Sequence, residues 1–195
     1  KKEITDSIFY AERIQRSMLP AQQLLKTLLP DHFVYFRPRN IVSGDFYWAA
    51  EKNGLLHVAA VDCTGHGVPG AFMSMLGITF LNEIMIKYEC TDASQLVNQL
   101  RKHIIRALGQ KGVEGEARDG MDLSLVVIDR EHGRLEFTGA NNPLYIVSKG
   151  ELTEIKGDKM PVAIHPSMPP FTLHRLKYLP GDVIYLFSDG FADQF

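Results

Sequence analysis

Apolar residues recur every three to four positions at the start of the chain, at Ile4, Ile8, Ala11 and Met18 with polar residues between. This predicts an amphipathic helix over residues 1–19, stopped by Pro20. Its apolar stripe needs a partner, either the body of the same domain or a coiled-coil continuation from an upstream sensor; the pattern leaves both open. Residues 32–37, 44–50 and 55–61 then favour strands, with Lys52-Asn53-Gly54 as a turn, and read as three adjacent antiparallel strands. After Val68-Pro69-Gly70 comes a helix over 71–88 whose apolar residues cover so much of its circumference that it must be largely buried. A second helix over 93–108 shows a stripe of Leu96, Leu100, Ile104 and Leu108; Asp92 serves as cap with Gln95 three residues on, and Gly109 closes it. These two helices are expected to pack side by side.

Residues 110–120, rich in glycine and charge, read as an exposed loop. Beyond it, 123–128, 134–138, 144–148, 152–155, 171–178 and 183–187 look like strands, punctuated by Glu131-His132-Gly133, Asn142-Pro143, Ser148-Lys149-Gly150-Glu151 and Pro180-Gly181-Asp182. Clustered helices between two groups of meandering strands predict an α+β sandwich, not a βαβ repeat.

Composition narrows the class. A chain of 195 residues, 45% apolar and 23% charged, is long enough to bury a core and reads as one folded domain. A net charge of -2, with no dense Lys/Arg run interleaved with aromatics, argues against a nucleic-acid partner. Two cysteines, Cys63 and Cys90, are too few for a disulfide scaffold, and no apolar leader opens the chain, so a cytoplasmic setting is expected. The apolar stretch 68–88 is broken by Ser74, Thr79, Asn82, Glu83 and Lys87 and reads as a core helix, not an embedded span. A start at Lys1 without Met and a stop after Gln194-Phe195 read as a piece of a longer protein.

The candidate chemistry is acidic. Asp45 in Ser43-Gly44-Asp45, Asp62 after the apolar run 55–61, and Asp189 after 183–187 each sit beside a turn at the edge of an apolar segment. A lone Asp near Gly is usually a turn former. Three in this context predict carboxylates converging at strand ends on a hard cation site. Asp122, just before 123–128, is a fourth candidate, with Asp119 its close competitor. An all-oxygen set favours Mg²⁺ or Mn²⁺ over structural zinc. His66 reads as a turn residue or a proton donor. A Cys63 nucleophile with His66 as base lacks the strained elbow such sites use, and Gly65, Gly67 and Gly70 match no nucleotide-binding spacing.

Taken together, Ala11-Glu12-Arg13-Ile14-Gln15-Arg16-Ser17-Met18-Leu19-Pro20, Val42-Ser43-Gly44-Asp45-Phe46-Tyr47-Trp48, residues 61–71 (Val-Asp-Cys-Thr-Gly-His-Gly-Val-Pro-Gly-Ala), Ala140-Asn141-Asn142-Pro143 and Phe187-Ser188-Asp189-Gly190 closely resemble the bacterial SpoIIE-like branch of the PPM metal-dependent serine/threonine phosphatases. The resemblance implies a four-layer αββα sandwich of two antiparallel sheets flanked by helices. It implies a centre of two Mn²⁺ or Mg²⁺ ions, with room for a third. Asp62 would bridge, the carbonyl of Cys63 and Asp45 would serve one ion, Asp189 the other, and Asp122 a looser ion or the attacking water. Asp45, Asp62 and Asp189 would thus be the catalytic set. Paired cations lower the pKa of a shared water and neutralise an in-line phosphoryl transition state.

The implied reaction is hydrolysis of a phosphoserine or phosphothreonine monoester on an anti-sigma-factor antagonist or similar signalling protein. Residues 1–19 would be a linker or switch helix under an upstream sensor, which the parent chain could carry in a membrane, and open to pairing in a homodimer; residues 20–195 would be the phosphatase domain. Family members continue past Ser-Asp-Gly to a further Asp-Asp strand, so an incomplete site and an unpaired sheet edge are expected of this piece. The rival reading is an inactive phosphoprotein-binding module of the same fold.

Overall fold

The computed structural model describes residues 2–89, 92–113 and 115–190. Lys1, Cys90, Glu114 in the predicted loop and the chain end after Gly190 lie outside the described residues.

Helix α1 spans Lys2–Met18 and is followed by a short α2, Gln22–Leu28, which the sequence reading does not anticipate. A seven-residue helix carries too little periodicity to declare itself; α2 persists because Leu25 and Leu28 are buried. Residues 32–37 overturn an expectation. They form no regular element and join no ladder among the described residues, with Phe33 72% and Tyr35 64% exposed. Strand propensity alone does not make a ladder here: the strands that hold Tyr47 and Tyr185 are edge strands, yet the segment meets them through ring contacts, Phe36 against Tyr47 and Phe33 against Tyr185.

β1 (Phe46–Lys52) and β2 (Leu55–Cys63) pair antiparallel through a turn in which Asn53 and Gly54 both have positive φ, as a two-residue hairpin requires. α3 (Gly67–Lys87) begins four residues earlier than expected, since Pro69 falls in the first turn, where no backbone N–H is needed. α4 (Ala93–Ala107) is capped by the Asp92 carboxylate, which accepts the Gln95 N–H at 2.8 Å. β3 (Met121–Asp129), β4 (Arg134–Ala140), β5 (Leu144–Ser148), β6 (Glu151–Ile155), β7 (His174–Lys177) and β8 (Val183–Tyr185) follow. Residues 171–173 and 178, expected in a strand, lie outside β7.

The strands form two antiparallel sheets, β1-β2-β3-β4-β7 and β6-β5-β8. α3 and α4 pack on each other and on one face of the larger sheet, and α1 packs on α3. Alternation assigns the two faces. Phe46, Trp48, Ala59, Val61, Cys63, Leu123, Leu125 and Val127 point toward the helices. Leu56, Val126, Ile128, Leu135 and Phe137 point the other way and meet Leu144 and Ile146 of the small sheet. Phe137 is fully buried there, and truncating it to Ala would cost about 3–5 kcal/mol. β3 is buried on both faces, so the even-numbered Asp62 and Asp122 emerge between the sheets, where the apolar filling stops.

Candidate metal centre

Backbone register builds the site. Asp62 of β2 stands directly opposite Asp122 of β3. On the other side of β2, Phe46 pairs with Val61, and one further step along that register sets Asp45 beside Asp62. Asp189, just beyond β8, arrives from the small sheet. Four carboxylates from four separate segments therefore reach one sheet end.

Glycines permit the approach. A Cβ on Gly44 would lie 2.6 Å from the Gly65 carbonyl oxygen and 3.3 Å from that of Cys63, and one on Gly70 would lie 2.5 Å from the Gly65 oxygen. The Ser43-Gly44-Asp45 segment, the turn after β2 and the start of α3 can interlock only without these side chains. Gly65 and Gly67 also have positive φ.

The electrostatics follow from crowding. Burial, first, and then the neighbouring Asp45 and Asp189 push the Asp62 carboxyl up to about 8. Burial also raises Asp122, against a hydrogen bond from Asn141 that favours its charged form. Asn141 Nδ2 donates to Asp122 Oδ1 at 2.8 Å, and Ser188 Oγ donates to Asp45 Oδ2 at 2.7 Å. Neither donor was assigned a role from sequence; the only signal was their place in the Ala140-Asn141-Asn142-Pro143 and Ser188-Asp189-Gly190 segments.

Among the described residues no three His, Cys, Asp or Glu side chains already form a closed ligand group. The carboxylates meet pairwise instead, Asp62 with Asp45 and with Asp189. Their repulsion is relieved either by a proton on Asp62 or by a cation. The donors are all oxygens, the set that suits a hard divalent ion such as Mg²⁺ or Mn²⁺.

Other candidates separate cleanly. The Cys63 side chain points into the helix–sheet core, 4% exposed, and burial pushes its thiol well up, so the nucleophile reading fails. Only its carbonyl, facing Gly44, is placed toward the site. Asp119 uses its carbonyl to accept the Gln110 amide at 2.6 Å and is not among the groups acting on Asp62 or Asp122. His66 is the exposed residue preceding α3; its Nδ1 lies 3.2 Å from Asn40 Oδ1 and its side chain caps no helix N–H.

A second network ties α1 to the site. Gln15, the one buried residue of α1, donates from Nε2 to the Ser43 carbonyl and to Ser74 Oγ, both at 2.7 Å, and accepts the Ser43 N–H at 3.0 Å. Ser43 is two residues from Asp45.

The same frame occurs in solved structures. The SiaA-PP2C domain of Pseudomonas aeruginosa is similar over 99% of this chain and 74% of that one, with 35% identity and a TM-score of 0.86. The PP2C phosphatase domain of SpoIIE from Bacillus subtilis matches 76% of this chain and 42% of that one (19% identity, TM-score 0.60). The catalytic domain of the serine/threonine phosphatase PstP, solved with two manganese ions, matches 82% and 76% (20% identity, TM-score 0.53). Two antiparallel sheets with helices and this chain order of segments define a PP2C-type (PPM) phosphatase domain. The profile of the Stage II sporulation protein E (SpoIIE) family matches residues 52–195, and the chain belongs to that family. No curated protein matches the sequence.

Proposed function

We propose that the protein is a metal-dependent serine/threonine phosphatase acting on a phosphoserine or phosphothreonine monoester of a signalling protein. The observation that carries this reading is Asp62, set between Asp45 and Asp189 with Asp122 opposite and its carboxyl raised to about 8. Such crowding is costly unless a cation resolves it. Asp62 is central and would bridge two ions; Asp45 and the Cys63 carbonyl would hold one, Asp189 the other, and Asp122 would serve a looser ion or orient water. Mn²⁺ or Mg²⁺ bound there would activate water and neutralise phosphoryl charge. PstP, with its two manganese ions, supports a divalent pair.

The chain's own residues supply the cradle. The interlocked Gly44, Gly65 and Gly70 hold the Asp45 and Asp62 segments in fixed register, and Ser188 fixes one Asp45 oxygen. The substrate expected from the family resemblance is an anti-sigma-factor antagonist or a similar switch protein. Residues 1–19 would form the switch helix; the Gln15 bonds to Ser43 support a path from an upstream sensor to Asp45.

Hydrolysis of p-nitrophenyl phosphate by the full-length protein with Mn²⁺ tests the reading. Asp62→Ala and Asp189→Ala should each lower kcat/KM by orders of magnitude, and EDTA should abolish turnover. Activity untouched by both substitutions would defeat it.

A further inference from the structure

Asn141 faces the carboxylate cluster from a turn built to hold it. It directly follows β4 with left-handed backbone, φ 58°, a conformation that Asn tolerates better than most side chains. The turn is locked from behind. The Asn141 N–H donates to the Asp158 carbonyl at 2.8 Å, and the Asp158 N–H donates to the Gly139 carbonyl at 2.9 Å. The Asp158 carboxylate accepts the Thr172 N–H at 2.6 Å and the Thr172 hydroxyl at 2.8 Å. Close packing removes the remaining slack: a Cβ on Gly139 or Gly157 would lie 2.4 or 2.6 Å from the Asn142 carbonyl oxygen. This brace presents the Asn141 amide to Oδ1 of Asp122. Asp62, the register partner of Asp122, interacts instead with other carboxylates.

We propose that Asn141 is a positioning residue for Asp122. By occupying Oδ1 it fixes the carboxylate torsion and leaves Oδ2 directed at the shared centre, and so sets the affinity of the cation site to which Asp122 contributes. A ligand carboxylate left free to rotate must lose that freedom on binding, which weakens the site. The inference rests on the metal-centre reading above and deepens it.

The test is Mn²⁺ titration followed by electron paramagnetic resonance of the free ion. It compares the wild-type protein with Asn141→Ala, Asn141→Gly, Asp122→Asn, and the Asn141→Gly, Asp122→Asn pair. The glycine variant keeps the left-handed turn available, so it carries the test if the alanine variant misfolds. The expected result is a loss of about tenfold or more in affinity at one class of site in either Asn141 variant, with no further loss when Asn141→Gly is added to Asp122→Asn. Unchanged affinity in Asn141→Gly, or losses that simply add, would overturn the assignment while leaving the metal centre standing. A wild-type protein that binds no Mn²⁺, or binding indifferent to Asp62→Ala, would overturn both readings together.

Discussion

Asp62 and Asp122 stand opposite one another in the β2–β3 ladder, on the face that looks between the two sheets. Like charges directly across a ladder destabilise it, and the carboxylates that act on Asp62 are Asp45 and Asp189, which reach it from outside that ladder. The Asp62–Asp122 pair is the signature of a strand end shaped for a ligand and not for packing.

Metal-free protein should lose stability as pH rises. The Asp62 carboxyl titrates near 8 in the fold against an ordinary value of 3.8, so between these values the folded state keeps a proton that the unfolded chain has released. That contribution is fully present below the unfolded value and is lost as pH climbs through the folded one. In EDTA the melting temperature of the wild type should fall across this window, while Asp62→Asn should flatten the slope and melt higher at its alkaline end. Parallel profiles for the two proteins would contradict the placement of the proton.

Gly44→Ala and Gly70→Ala should each cost about 1–3 kcal/mol or more. The new methyl groups would fall 2.6 and 2.5 Å from the Gly65 carbonyl oxygen, and backbone cannot swing aside as a flexible side chain does. Urea unfolding measures the loss, and Mn²⁺ affinity should fall with it because the Asp45 and Asp62 segments part.

Gln15→Ala should destabilise the protein by about 1–3 kcal/mol, since it leaves buried partners at Ser43 and Ser74 without their amide. Hydrogen exchange should quicken at the Ser43 amide and along α1. Protection unchanged at both would show that α1 is held by apolar contacts alone.

Ser188→Ala removes the donor to Asp45 Oδ2. Metal affinity should fall by about 10–100-fold with little change in unfolding midpoint, and Ser188→Thr, which restores a hydroxyl, should recover most of it. A variant binding Mn²⁺ as tightly as wild type would remove Ser188 from the site.

Alkylation should leave activity intact. Cys63 is buried with its thiol well raised, so iodoacetamide should not inactivate the folded protein, whereas EDTA should. Inactivation by iodoacetamide with indifference to EDTA would revive the thiol mechanism.

Much of the frame was legible in the residues themselves. The Leu96, Leu100 and Ile104 stripe of α4, its Asp92 cap and the Asn53-Gly54 turn are local devices whose energies are settled within a few neighbours, and they stand in the structure, whereas Leu108, expected in the stripe, is the exposed residue that ends the helix. Local preference failed where pairing decides. The aromatic run at 32–37 has strand propensity but no ladder partner among the described residues, and Pro69 admitted an earlier start to α3 than the apolar pattern showed.

The sequence by itself determined which side chains carry charge, most of the helices and strands though not α2 or the fate of residues 32–37, and that Asp45, Asp62, Asp122 and Asp189 each lie at or near a strand end. Only the tertiary structure decided that β2 and β3 pair so that Asp62 meets Asp122, that Asp189 crosses from the other sheet, and that Asn141, Ser188 and Gln15 reach the site from afar. The physical reason is that a ladder slipped by one residue turns every side chain to the opposite face. Register is set by burying Leu56, Val126 and Phe137 against the small sheet, a constraint spread over many distant residues and carried by none of them alone.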